Sequence, residues 1–457
     1  MSEAPDCTGI AMIRAYGGTG GGGAAMQPRE PAWSAETEAA ADARARLVSS
    51  LRHGGRGLSH SVQRAFAQVP RHVFVPEVGP AAAYRDEAFV IKCGPDGLPV
   101  SSSSQPAMMA IMLDQLELEP GHRVLEIGTG SGYNAAVMSV VVGSHGRVVS
   151  VDIDAELVAR AKASLTAAGY DAVTVLCADG GYGDPANAPF DRIIVTAGAW
   201  DIAPAWLDQL APDGRLVLPL SIRGIQLSVA LELIGDEWLS TSAWRCGFVR
   251  MLGAFAGPEN VLRADDPHTL FAQMSDGSAV DARGLQLALT GPSSDAPALF
   301  RPAVIADLAD LDLWLSVTSG ELDRITILAA PGGWLPLTSL LPFGALISHA
   351  TEASRMGIAA VLPAELATER ASGRPAPAVI VRGFGPGGAL LAAHLAERVE
   401  EWARLGRPGA RDMRLAVWPA LPGSAQAVET AGPLSQLAEG MLVLHRPNAT
   451  IEVGWPD

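Results

Sequence analysis

Val124-Leu125-Glu126-Ile127-Gly128-Thr129-Gly130-Ser131-Gly132 organises the reading of the whole chain. Val124, Leu125 and Ile127 form a short apolar run of the kind a buried strand needs. Glycines then stand at alternate positions, and a helix is predicted to start near Tyr133. Alternate glycines let backbone pass close to a ligand and adopt dihedrals that a side chain disfavours. The dinucleotide fingerprint G-x-G-x-x-G would require glycine where Tyr133 stands. The spacing is instead Glu-x-Gly-x-Gly-x-Gly, from Glu126 to Gly132, with Thr129 and Ser131 between the glycines.

Outward from this stretch, short apolar runs alternate with helical patterns. Strands are predicted at Arg123–Ile127, Arg147–Val151, Val173–Cys177, Asp191–Thr196 and Arg215–Leu218, with helices at Ala155–Ala168 and Pro204–Leu210. Such alternation predicts an α/β fold with a mostly parallel, doubly wound, Rossmann-like sheet, whose ligands sit outside the carboxyl ends of the strands. Gln226–Ile234 and Ser240–Met251 lack an intervening helix and are expected to complete the sheet as an antiparallel pair.

The strand ends carry the chemistry. Asp152 closes the second strand, where a carboxylate can accept from both hydroxyls of a ribose, and Ile153 follows it. Asp154 suits the N-cap of the next helix. Asp179 and Gly180 close the third strand; the acid can accept from the exocyclic amine of an adenine, and the glycine lets backbone lie against the ring. Either acid alone is equally readable as a strand-end or capping residue. Their succession after the glycine turn favours nucleotide binding.

The 457 residues suit two or three domains. The expected division is an N-terminal extension over 1–35, a catalytic domain over 36–256 and an accessory α/β region over 257–457. The extension holds the tract Gly17-Gly18-Thr19-Gly20-Gly21-Gly22-Gly23 and is expected to be disordered. Helices are expected over Ser34–His53 and Ser61–Gln68. In the last region strands are expected at Thr326–Leu328, Ala378–Val381 and Arg414–Val417, and a helix at Ala389–Leu405.

A net charge of −16 disfavours a nucleic-acid partner, because phosphate recognition relies on clustered Lys and Arg. No apolar run approaches the ~18 residues of a membrane span, and no signal peptide is visible at the start. A cytoplasmic protein without a membrane partner is expected. Cys7, Cys93, Cys177 and Cys246 form no CxxC pair and are expected to be free thiols; the histidines show no metal spacing, so no metal is expected. Gly383-Phe384-Gly385-Pro386-Gly387-Gly388 matches G-x-G-x-x-G, but the next strand ends in Trp418-Pro419 where a ribose-binding acid is needed. Pro386 also lacks an amide for a phosphate. A tight strand-to-helix turn accounts for it.

The spacing of the glycine turn resembles that of class I S-adenosylmethionine-dependent methyltransferases. Several further segments, in order over about residues 45–255, resemble the protein L-isoaspartyl O-methyltransferases. They are Val69-Pro70-Arg71-His72-Val73-Phe74-Val75-Pro76, Ser104-Gln105-Pro106, Leu125 to Tyr133, Asp179-Gly180, Phe190 to Ala197, and Leu210 to Pro219. The resemblance implies methyl transfer from S-adenosylmethionine to the carboxylate of an aspartyl or isoaspartyl residue in a peptide or protein. It implies cofactor contacts at Glu126, Gly128, Thr129, Gly130, Ser131 and Gly132, and at Asp152, Ile153, Asp179 and Gly180. Ser104 takes the catalytic position, beside the substrate carboxylate. The acceptor is expected to meet Ser101, Ser102, Ser103 and Gln105, together with Thr196 and Gln226.

A carboxylate has a pKa near ~4 and needs no general base at neutral pH, which suits the absence of a nucleophile–base dyad. The sequence departs from the family in Lys92 to Pro106, whose serine run replaces a short glycine-histidine-glycine approach, and in its long extensions. A serine-rich loop with a long C-terminal region, and the segment Ala309-Asp310-Leu311-Asp312-Leu313-Trp314-Leu315, are similar to the branch associated with ribosomally made peptides such as lanthipeptides and graspetides. That branch implies methylation of an Asp in a modified precursor, leading to aspartimide. General repair of isoaspartyl proteins is the alternative.

Overall fold

The computed structural model describes residues 38–53, 56–95, 99–258, 305–319, 379–420 and 442–455, with shorter pieces at 261–263, 271–274, 284, 287–288, 293–298, 322–329, 345–348 and 358–363. The expected disordered stretch 1–35 lies outside them. In chain order the first half runs α1 (Glu38–Ser50), β1 (Arg52–His53), β2 (Arg56–Gly57), α2 (His60–Gln68), α3 (Arg71–Phe74), β3 (Phe89–Cys93), β4 (Pro99–Ser103) and α4 (Pro106–Leu116). Then come β5 (Arg123–Ile127), α5 (Tyr133–Val142), β6 (Arg147–Asp152), α6 (Ala155–Ala167), β7 (Thr174–Cys177), β8 (Phe190–Val195), α7 (Pro204–Asp208), β9 (Leu210–Ile222), β10 (Ile225–Ile234) and β11 (Glu237–Cys246).

The central sheet has the order β7-β6-β5-β8-β9-β10-β11 and continues into three C-terminal strands, Arg414–Pro419, Ala449–Gly454 and Leu442–His445. Pairings from β7 to β9 are parallel. Those of β10 with β9 and β11 are antiparallel, as expected. The parallel strands alternate between two buried faces. Val124, Val148, Ile194 and Val217 pack with α1, α2, α4 and α5 on one side. Leu125, Val149, Ile193 and Leu216 pack on the other. Burial on both faces is why these strands read as continuous apolar runs.

The division at 256/257 does not separate two sheets. Trp238 and Leu239 of β11 pair with Val417 and Ala416, and Leu313, Met413, Leu415, Val417, Ile451 and Val453 share the second core with β8 and β9. The remaining C-terminal strands form a separate seven-stranded sheet, all of whose pairings are antiparallel. The helix Gly388–Arg404 follows its strand Val379–Phe384 through the second glycine motif. There Gly383 and Gly388 approach so closely that a Cβ on Gly383 would lie 2.0 Å from the Gly388 carbonyl oxygen.

Cys177 and Cys246 are free. Cys93 is disulfide-bonded, which corrects the expectation of four reduced thiols; sequence spacing does not report proximity in space. Among the described residues no helix is long and apolar enough to cross a membrane, and no group of His, Cys, Asp and Glu is placed to hold a metal.

Candidate active site

A cleft opens at the carboxyl ends of β5, β6 and β8. Its lining includes Ser101 to Ser104, Glu126 to Ser131, Asp152 to Asp154, Gly180, Thr196 and the segment Phe248 to Leu252. The glycine turn forms its centre. Gly128 has φ +102°, and a Cβ there would stand 2.6 Å from Thr196 Oγ1. The Thr196 hydroxyl fills that space itself, donating to the Gly128 carbonyl at 2.7 Å. Gly132 caps the following helix, which begins at Tyr133 as expected.

Asp152 faces the turn from β6. Its Oδ2 accepts from the Gly130 amide at 3.0 Å and its Oδ1 from the Asp154 amide at 3.0 Å. Each carboxylate oxygen retains capacity for a second donor. Ile153 beside it is 43% exposed, an apolar surface on the lining. Asp154 caps α6 through the amides of Glu156 and Leu157. Lys92 Nζ lies 2.7 Å from both Asp154 and Glu156, tying the β3–β4 hairpin to that helix. Burial raises the Asp154 pKa, but the bonds from Lys92 and the two amides outweigh it and hold the carboxyl below its ordinary value.

Beneath the turn Glu126 is fully buried. It accepts from Ser150 Oγ at 2.5 Å and Asn134 Nδ2 at 2.8 Å, and Ser150 also meets Thr129 Oγ1 at 2.7 Å. Desolvation pushes the Glu126 carboxyl up to about 7 against the pull of these bonds. Asn134 Oδ1 and Ser103 Oγ, both in lining residues, are buried with no partner.

The serine run is a strand. β4 pairs with β3 in the register Phe89↔Ser103, Val90↔Ser102 and Lys92↔Ser101, and Ser101 and Ser103 are buried. Ser104 follows it on the lining. Its backbone is fixed by Arg71, a residue whose part in the site the sequence did not disclose. The buried guanidinium donates to the carbonyls of Ala83, Arg85, Glu87 and Ser104 at 2.8–3.0 Å and lies 4.8 Å from the Phe89 ring centroid. Burial lowers its pKa to about 10.

Four expected site residues are not on the lining: Gly132, and three whose side chains turn elsewhere. Gln105 donates to Asp86 Oδ2 at 3.1 Å, holding the start of α4. Gln226 clamps Phe248, accepting from its amide at 2.6 Å and donating to its carbonyl at 3.2 Å. Asp179 accepts from the Gly181 amide at 2.9 Å and the Ala254 amide at 2.7 Å. The bonds to Phe248 and Ala254 serve a segment whose start, up to Met251, was expected to be strand. β11 ends at Cys246, and the following residues leave the sheet to cross the cleft, bridged to the β8 loop by Gly198 N to Val249 O (2.8 Å) and Met251 N to Gly198 O (3.0 Å).

The pieces fit an adenosyl cofactor with a polar tail: an acid and an exposed apolar side chain at the β6 end, glycine backbone at the β5 end, and unpartnered polar atoms deeper in. The serine strand and the crossing segment form the opposite wall.

The model of the protein-L-isoaspartate(D-aspartate) O-methyltransferase family matches residues 42–253. The protein-L-isoaspartate O-methyltransferase of Methanopyrus kandleri is 42% identical over 222 residues, which is 48% of this chain and 96% of that protein. That of Hyperthermus butylicus is 39% identical over 236 residues, covering 50% and 95%. A solved Plasmodium falciparum structure in complex with S-adenosyl-L-homocysteine is 20% identical, covers 47% of this chain and 96% of its own, and has a TM-score of 0.39.

Proposed function

We propose a reaction and an acceptor from one premise: the chain belongs to the protein-L-isoaspartate O-methyltransferase family. It is an S-adenosylmethionine-dependent carboxyl methyltransferase acting on a peptide or protein substrate. The finer reading is that the acceptor is an Asp in a modified natural-product precursor, whose methyl ester then closes to an aspartimide. The observation that carries the reading is that the glycine turn, Asp152 and Ser104 line one cleft.

Bound S-adenosylmethionine supplies a methyl group activated on a sulfonium sulfur. The acceptor carboxylate is already ionised at neutral pH, so the chain need not remove a proton. Its residues have to align the acceptor and keep water out. Asp152 and Ile153 would hold the nucleoside side of the cofactor, and the backbone of Gly128 to Gly130 would bind the rest. The Ser104 hydroxyl orients one acceptor oxygen and leaves the other free to attack; Arg71 sets the height of that serine. Gln226 and Asp179 act through the crossing segment by holding Phe248 and Ala254.

The long C-terminal region supports a dedicated acceptor, because its turn Arg446–Asn448 reaches the loop after β8. Asp201 Oδ2 accepts from both the Asn448 amide (2.9 Å) and its Nδ2 (2.8 Å). The identity with protein-L-isoaspartate O-methyltransferases over the catalytic half favours the second reading, repair of isoaspartyl proteins. Methyl transfer to a linear isoaspartyl peptide and to a cyclic peptide bearing a normal Asp separates the two. Turnover of the linear peptide alone reverses the order. Ser104→Ala should lower turnover at least about tenfold while S-adenosylhomocysteine binding is kept, and full activity in that variant refutes the role given to Ser104.

A further inference from the structure

Arg250 is the only Lys or Arg among the described residues on the cleft lining, which otherwise carries the acids Glu126, Asp152 and Asp154. The residue is exposed. One N–H is engaged, Nη1 donating to the Gly257 carbonyl at 3.1 Å, and a guanidinium offers five.

The position is built. Arg250 forms a parallel bridge with Gly198 beyond β8. Gly257 packs against Trp200, where an added Cβ would come within 2.4 Å. The Trp200 ring is covered on its face by the Arg446 guanidinium, 4.0 Å from the centroid. Asp201, the next residue, is the one held by Asn448. The C-terminal turn thus backs the loop on which Arg250 is seated.

Arg250 also lies on the side of the glycine turn away from the nucleoside residues. β6, which delivers Asp152 and Ile153, flanks β5 on one side, and β8, which seats Arg250, flanks it on the other. Among the described lining residues Arg250 is thus the one cation available to a carboxylate entering the cleft.

We propose that Arg250 recognises the carboxylate of the acceptor peptide, donating to one oxygen while the other is presented to the methyl group. The inference rests on the methyltransferase reading and names how its acceptor is selected. Esterification removes the acceptor's charge, so the same guanidinium holds substrate more tightly than product.

The test takes whichever carboxyl peptide the native chain methylates, cyclic with a normal Asp or linear with isoAsp, and compares it with its uncharged amide counterpart by calorimetry in the presence of S-adenosylhomocysteine. The native chain should prefer the acid by about tenfold. In Arg250→Gln the preference should fall to near unity, with S-adenosylhomocysteine affinity unchanged, and Arg250→Lys should restore part of it. An acid preference that survives Arg250→Gln overturns the proposal, as does loss of S-adenosylhomocysteine affinity by the same factor, which would assign Arg250 to the cofactor. Absence of methyl transfer by the native chain to any carboxyl peptide defeats the methyltransferase reading and this inference with it. Transfer by the native chain with an undiminished preference in the variant defeats this inference alone.

Discussion

Gly128→Ala tests whether the glycine turn is shaped by its own backbone or by the pocket around it. At φ +102° a side chain is strained, a cost of roughly 1–3 kcal/mol. The new Cβ would also stand 2.6 Å from Thr196 Oγ1, so Thr196 has to rotate and give up its bond to the Gly128 carbonyl, about 1 kcal/mol more. The sum, about 2–4 kcal/mol, falls on the segment that positions the Gly130 amide against Asp152. If the chain keeps its fold by remodelling the turn, S-adenosylhomocysteine should bind at least about 30-fold more weakly by calorimetry. The double variant with Thr196→Ala removes the overlap and leaves the backbone strain. It should therefore bind more tightly than the sum of the two single losses implies. Gly128→Ala binding within about twofold of the native chain, or strict additivity in the double variant, refutes this account of the turn.

Asp152→Ala removes the carboxylate that anchors the Gly130 amide and is proposed to take the ribose; a loss of ~1.5–3 kcal/mol corresponds to roughly 10–150-fold weaker S-adenosylhomocysteine binding, and a change under about threefold refutes the assignment. Glu126 has its pKa raised from 4.5 to about 7 by burial, so the folded chain binds the proton more tightly. Its contribution to stability is complete below the unfolded value and is lost as pH rises through about 7, up to about 3 kcal/mol. Urea unfolding at about pH 5 and pH 8 should show a smaller pH difference in Glu126→Gln than in the native chain, and an equal difference refutes the cause. A chain ending at Gly257 loses the strand paired with β11 and the C-terminal side chains of the second core, so it should aggregate or melt well below the native chain. A soluble product with native melting temperature shows that those strands are dispensable.

The contrast between the two halves of the cleft has a physical origin. The nucleoside half comes from residues whose neighbours lie close in sequence. Arg123–Ile127 is a strand because both faces are buried, and the turn from Gly128 to Gly132 has the composition its dihedrals require; both are legible in the residues themselves. The half proposed to meet the acceptor is assembled from distant segments. The sequence placed Asp179 at a strand end, but its lone pairs are taken partly by Ala254, 75 residues on. Gln226 stood after the right strand, yet its amide completes hydrogen bonds of Phe248, a residue expected to be in the sheet. Gly247 after β11 is the local sign that the strand stops, although one glycine does not say where the chain goes next. The pairing of Trp238 with Val417 left no local signal either, since alternation reports which face is buried and not which strand lies alongside. Arg71 is concealed for a related reason: its acceptors are carbonyls, and any residue supplies one. On the proposed reading, substitutions in Phe248 to Leu252 would alter this wall and the acceptor it admits while leaving the glycine turn and Asp152 untouched. Identity concentrated in the catalytic half therefore specifies the reaction more closely than it specifies the peptide.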